Sequence, residues 1–471
     1  MIKRLSWPAA IIYLDGLINP AILDADIMKP LLEPQLKDTS GQELLNVLNN
    51  GGLISRAQLD KVNHFEALVP KVLIGEVALF LDGFPQAFII SCKGYKTRSI
   101  PEPTYENAVR GPREAFVETL SVNIGLIRKR LITPNLVVEN IKLGKISSTN
   151  VAIAYIKGLA SEGLVAEVRK RLTRIEIDAV LESHYLEQLI QDSPYSPFPQ
   201  LRVTERPDAV AGALLEGRVA ILTDNTPSVL TAPGELAAQL AAAEDYYSNF
   251  YFATLIRWLR LLTFLIALTL PSFYIAITNF HQEMIPTTLF ISIAAARQGV
   301  PFPGVVEAVA MEVMFEVLRE ATIRLPANFA QVVSIVGALV IGQAAVQANL
   351  VSPLMIIVVA ITGIASFTIP QYSLGLTIRL LRFPLMLSAA LLGLFGVMTV
   401  LLALLLHLCS LRSFGVPYLT PLTPFNREAI KDSLLYKSPL WSLTRHPSEL
   451  VQRNTRRIGK KQRPGPPDQQ R

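Results

Sequence analysis

Charge is scarce in this sequence. Asp, Glu, Lys and Arg make up 17% of its 471 residues, against roughly 25% in an average soluble domain. Hydrophobic residues reach 51% and the mean hydropathy is +0.37, which excludes a wholly soluble chain. Cysteine is nearly absent: with only Cys92 and Cys409, neither a disulfide framework nor a thiolate zinc site can be built. His64, His184, His281, His407 and His446 are scattered. No Gly-rich phosphate loop, metal-spaced cluster or nucleophile motif occurs. The chain is therefore read as a non-enzyme with no cofactor, and nucleic acid is not an expected partner. The opening "MIKRLSWPAAIIYLDG" lacks the apolar core of a signal peptide, so the first half is expected in the cytoplasm.

What is present falls into three parts. The expected fold is an α/β soluble N-terminal region of two small subdomains, followed by an α-helical multi-span membrane domain. The expected boundaries are residues 1–98 for the first α/β subdomain, 99–115 for a linker and 116–245 for the second subdomain. The membrane domain would cover 246–410, and a basic cytoplasmic tail 411–471. In the first subdomain, "EVALFLDGFPQAFIISC" reads as a hairpin turning at Asp82-Gly83. Asp15 and Asp82 are read as turn residues rather than a carboxylate pair. In the second, strand patterns occur at "NLVVENIKLG", "TNVAIAYIKG", "RVAILTD" and "PSVLTAP". Helical patterns lie between them, an alternation that favours stacked α/β layers. The basic cluster Arg128, Lys129 and Arg130 suits a helix C-terminus, or else a docking surface.

The membrane domain is expected to have about four full spans, a re-entrant segment and an amphipathic helix. Arg257 and Arg260 amid aromatic residues read as an interfacial belt before the first span. "TTLFISIAAARQGVPFPG" is too short to cross and reads as re-entrant. In "GVVEAVAMEVMFEVLREATIRLP", Glu312, Glu316 and Glu320 recur every four residues and share one helical face. That stripe is either solvated or an acidic vestibule that attracts cations. The next run, residues 332–350, carries Gln343 and Gln347 with Val346 and Leu350 on one face. These four residues are candidates for a pore lining and gate. The alternative is that the amides join helices by hydrogen bonds. "FPLMLSAALLGLFGVMTVLLALLLHLC" reads as the last span. After it the tail carries twelve Lys or Arg against four acidic residues. The positive-inside rule puts that tail in the cytoplasm, and an even number of crossings is needed to match. With four crossings, Arg297, Arg319, Arg324, Arg379 and Arg382 would fall on the outer side.

The ordered stretches "RGPREAFVETLSVNIGLIRKRL", "YSPFPQLRVTERPD", "GRVAIL", "RQGVPFPGVVEAVAMEVMFEVLREATIRLP", "IGQAAVQANLVSP" and "ASFTIPQYSLGLTIRLLRFP" resemble the GerA family, the A subunits of bacterial spore germinant receptors. The resemblance covers residues 110–384, with a weaker start at "IIYLDGLINP". It implies an integral protein of the spore inner membrane, with its N-terminal region and C-terminal tail cytoplasmic. It also implies a nutrient-responsive complex with a transporter-like B subunit and a lipoprotein C subunit. The A subunits would form a homo-oligomer, a pentameric ring in the membrane lipid that acts as a gated cation channel. The rival readings are a non-conducting scaffold and a secondary transporter, which would need repeat symmetry that the spans lack. In one respect the chain departs from the family. Members carry an additional stretch before "YLDG", so either the start lies upstream or a helical cap is missing.

Overall fold

The computed structural model describes residues 9–32, 60–92 and 110–425, with single positions at 94, 102, 103, 106, 430, 432 and 439. Most of the expected basic tail lies outside them, as do the side chains of 327, 328, 330–336 and 338. Two compact units are formed. One runs to Pro194 and resumes over Leu201–Pro233; the other holds Tyr195–Gln200 and continues from Gly234.

The first unit contains two antiparallel sheets. Strands β1 (Ala9–Ile12), β2 (Asp60–Val62), β3 (Glu76–Leu81) and β4 (Ala87–Ser91) pair in the order β1-β3-β4-β2. The turn of the β3–β4 hairpin has Asp82 Oδ1 accepting from Gly83 N at 3.0 Å. Side chains alternate along β3, as a period of two requires. Val77, Leu79 and Leu81 pack beneath α1 (residues 20–32), which supplies Ile27 and Leu31. Ala78 faces the other way, onto Leu68 and Val72 of α2 (Phe65–Leu73).

The second sheet joins β5 (Leu136–Leu143), β6 (Thr149–Ile156), β7 (Arg202–Thr204), β8 (Val219–Thr223) and β9 (Val229–Ala232) in the order β5-β6-β8-β9-β7. Residues 151–154 of β6 are all buried, so both faces of that strand are covered. On one side lie α3 (Leu120–Arg130) and α6 (Pro207–Leu215). On the other side is α4 (Glu162–Thr173); α5 (Ser183–Ile190) packs near β9. The linker is tied down by the buried Arg206, which donates to Glu106 O at 3.0 Å and Pro112 O at 2.9 Å.

The outer strand β5 is braced by Glu139, which accepts from Arg169 Nε (2.8 Å), Arg169 Nη2 (2.7 Å) and the Tyr155 hydroxyl (2.7 Å). The Arg169 bonds hold the Glu139 carboxyl below its ordinary range, against some burial. A depressed carboxyl stabilises the fold above its unfolded pKa, about 4.3, and loses that effect as pH falls through the folded value. Glu139→Gln should therefore lower the thermal midpoint at pH 7. The difference from wild type should narrow as pH falls below about 4 and close once it passes below the depressed folded value; a gap that persists there would show that the bonds, not the charge, matter.

The second unit is helical. After α7 (Leu236–Leu240) come α8 (Phe250–Phe280), α9 (Thr287–Arg297), α10 (Gly304–Arg324), α11 (Ala327–Gln347), α12 (Pro353–Ser366) and α13 (Tyr372–Ser410). Among the described residues, α8 and α13 are long and apolar enough to cross a membrane; α9 and α12 are shorter apolar helices. However, α13 is not one rod. Thr377 donates to Pro197 O, while His407 Nε2 lies 2.8 Å from Ser196 Oγ. Thirty residues of straight helix would hold those contacts about 45 Å apart, yet Ser196 and Pro197 are neighbours. The chain reverses at Gly393 (φ 62°, ψ −142°). A side chain there would stand 2.9 Å from the Phe280 side chain. Residues 372–392 (α13a) and 394–410 (α13b) are thus two arms of a hairpin, where one span was expected.

The directions of the remaining helices follow from their contacts, taking the start of α8 as the near end. Arg382 of α13a donates to Ala267 O at 2.8 Å and Gly393 meets Phe280, so α13a runs alongside α8 toward the far end. Thr368 bonds Thr263 at 2.5 Å, which sets the end of α12 at the near end. Glu307 accepts from Ser352 N at 2.9 Å and Arg319 donates to Ser366 Oγ at 2.9 Å, so α10 and α12 both descend to it. Helix α11 climbs between them, and the bundle is traversed six times. The expected amphipathic helix is one of the passes. Leu411–Leu419, expected in the tail, instead packs into this unit through a small β10–β11 hairpin (Arg412–Ser413, Val416–Pro417).

Candidate functional site

In a soluble protein an amphipathic helix turns its charges to water. Helix α10 does the reverse: Val313, Val317 and Ile323 are exposed while Glu312 is 1% exposed. That orientation suits a helix whose outer face meets hydrocarbon rather than water. Neighbouring surfaces agree, with Leu262, Leu265, Leu387, Leu391 and Phe395 all bare.

Each glutamate of the stripe has an arginine. Glu312 pairs with Arg382 of α13a, both about 1% exposed. Glu316 Oε2 sits 2.7 Å from Arg379 Nη1, and its Oε1 is 3.4 Å from Arg319 Nη1. The Arg319 guanidinium also lies over two rings, 5.0 Å from Phe315 and 4.6 Å from Phe367. Glu320 pairs with Arg324 at 2.6 Å, and both are exposed. In this conformation the stripe is neutralised, not open to ions. The pairing also relieves the expected topology of its awkward arginines: Arg319, Arg324, Arg379 and Arg382 lie toward the near end, and Arg297 near the far end meets the buried Glu307 at 3.4 Å.

The amide face points elsewhere. On α11, Gln343 and Gln347 are exposed and Val346 is half-buried; the helix ends at Gln347 and Asn349 turns to φ 54°, so the exposed Leu350 lies past the helix and off the shared face that the spacing predicts. The principal neighbour of α11 is α10, approached closely where Gly337 meets Leu318. The two candidate sets therefore occupy adjacent helices but do not converge within one chain.

At the near end, Arg257 and Arg260 are buried rather than interfacial. Asp245 accepts from both, at 3.1 Å and 3.0 Å. In the first unit, a cleft of about 250 Å³ is bordered by Asp15, Asn19, Ser121 and Lys129. It is pinched where Gly16 and Gly125 approach each other with no room for a Cβ. Its volume is below the roughly 300–1,000 Å³ usual for ligand pockets. Burial raises the Glu114 carboxyl, but its bonds to Lys129 (2.6 Å) and Arg130 (2.7 Å) outweigh that and hold it low. The basic cluster on α3 is thus partly occupied as an internal cap.

The model of the family described as Bacillus/Clostridium GerA spore germination protein matches residues 2–449. The chain belongs to the GerA family. Spore germination protein KA of Bacillus subtilis (strain 168) is 46% identical over 460 residues, 97% of this chain and 83% of that protein. Spore germination protein A1 of the same strain is 46% identical over 367 residues, 78% of this chain and 76% of its own length. Among solved structures, the N-terminal domain of the A subunit of the Bacillus megaterium spore germinant receptor GerK3 is 34% identical. It covers 48% of this chain and 83% of that one, with a TM-score of 0.38. For this GerA-family chain, sequence reasoning named the glutamates but missed their partners Arg379 and Arg382. The available signal was two arginines three residues apart at the mouth of an apolar run.

Proposed function

We propose that this chain is the A subunit of a nutrient-responsive germinant receptor in the inner membrane of a spore. Its copies would form a ring, a pentamer, that opens to monovalent cations when nutrient binds. A transporter-like B subunit and a lipoprotein C subunit complete the complex. Six crossings would keep both ends of the membrane unit in the cytoplasm. The exposed Gln343 and Gln347 carry this reading. They stand on a helix whose other exposed residues include Leu339 and Val340. A primary amide in hydrocarbon without a partner costs several kcal/mol, so that face wants either a second copy or water. In a ring, α11 from each copy would line the axis with amides and Val346 would narrow it, with Leu350 just past the helix end.

A non-conducting scaffold is the second reading, favoured by the arginine partners of Glu312 and Glu316. Proteoliposomes holding the full chain separate the two. The channel reading expects potassium flux in the wild type that falls by about tenfold in Gln343→Leu/Gln347→Leu, since dry pores do not conduct. A well-formed oligomer that passes no ions in any version would leave the scaffold.

A further inference from the structure

The strongest unexplained feature is the Glu312–Arg382 pair. Replacing a buried ion pair with apolar residues of similar size is often neutral or stabilising, and this one is only half satisfied. Glu312 Oε1 and Arg382 Nη2 are buried and have no hydrogen-bond partner among the described residues. Its neighbours show the same design. Arg379 binds Glu316, and Arg319 is clamped between two rings with Nε unpartnered. All the glutamates of the stripe sit on α10, whereas Arg379 and Arg382 belong to α13a.

We propose that Arg379 and Arg382 are tethered counter-ions that occupy the cation sites of α10 in the closed state. The proposal rests on the channel reading and adds how that channel is regulated. With α10 seated on α13a, Glu312, Glu316 and Glu320 face four guanidinium groups (Arg319, Arg324, Arg379 and Arg382), an excess of one positive charge. With α10 withdrawn, the same three carboxylates keep only Arg319 and Arg324, an excess of one negative charge. One displacement thus releases the gating helix α11, whose main support is α10, and reverses the local field from repelling cations to attracting them. A permeant cation takes the place of a guanidinium at Glu312 and Glu316. The exchange forms no covalent bond.

The two partners of a pair then have distinguishable roles. Removing either breaks the latch; only removing the arginine leaves the carboxylate for ions. The test is potassium and chloride permeation through proteoliposomes of full-length Arg382→Gln, Glu312→Gln and Arg382→Lys, with Val346→Ala as a channel control. Arg382→Gln and Glu312→Gln should each raise basal potassium flux about tenfold, and Arg382→Lys should stay near wild type. The potassium-to-chloride permeability ratio should rise several-fold in Arg382→Gln and fall in Glu312→Gln. If a variant does not assemble, Arg379→Gln and Glu316→Gln, at the less buried pair, carry the same expectations. Equal permeability ratios in both members of a pair, matching Val346→Ala, would overturn the proposal and leave a purely structural ion pair. So would unchanged flux in both while Val346→Ala leaks. If no version, wild type and Val346→Ala included, passes potassium, the channel reading itself falls, and the counter-ion role with it.

Discussion

Replacing Val346 with alanine should raise basal cation flux by about tenfold or more and trigger germination without nutrient. Val346 is half-buried on α11, one residue before Gln347. In a ring, every copy would contribute an isopropyl group at the same height. A narrow apolar collar excludes water without blocking the axis sterically, so losing two methyl groups per copy both widens and wets it. Part of the side chain packs against its neighbours, and a buried Val→Ala change costs roughly 1–2 kcal/mol of folding stability. Oligomer recovery must therefore be measured beside flux. Leu391→Ala, at an exposed position on α13a away from this face, should leave the flux unchanged. Wild-type flux from an intact Val346→Ala oligomer would remove this residue from the gate.

The second large effect belongs to Gly393. Its φ of 62° with ψ of −142° is a combination that residues with a side chain rarely adopt. The Phe280 side chain already stands where a Cβ would go. Backbone strain and overpacking together make Gly393→Val destabilising by roughly 3–5 kcal/mol. The chain should then fail to yield a stable detergent-solubilised protein, with Gly393→Ala intermediate. Gly375→Ala serves as the control, since nothing lies within 4 Å of a Cβ there. A Gly393→Val protein with an unshifted melting midpoint would mean that the arms can reverse another way.

The soluble half was legible because its strands announce themselves. The β-rich apolar run in "EVALFL" and the Asp82-Gly83 turn specify the β3–β4 hairpin, and β5, β6, β8 and β9 read as β-rich runs of the same kind. Strands β2 and β7, three residues each, were not: so short a run has no readable period, and only pairing with β4 and β9 makes them strands. In the membrane half the period was readable but its direction was not. The i, i+4, i+8 spacing identifies the glutamate face correctly, yet in lipid the polar face turns inward, opposite to the usual rule. The partners of Glu312 and Glu316 lie 70 and 63 residues away, beyond any local pattern. The hairpin in α13 was hidden because both arms meet the same apolar surroundings. Its one local trace is a glycine inside an apolar run longer than the roughly 20 residues a crossing needs.

That reversal leaves very little behind at the far face. A pair of passes is usually joined by a loop long enough to be cut, labelled or bound from outside. Here the whole connection is one buried glycine pressed against the end of α8. Proteases and antibodies arriving from that side would find no strand of backbone to grip at this corner, and sites for accessible tags must be sought at the other connections.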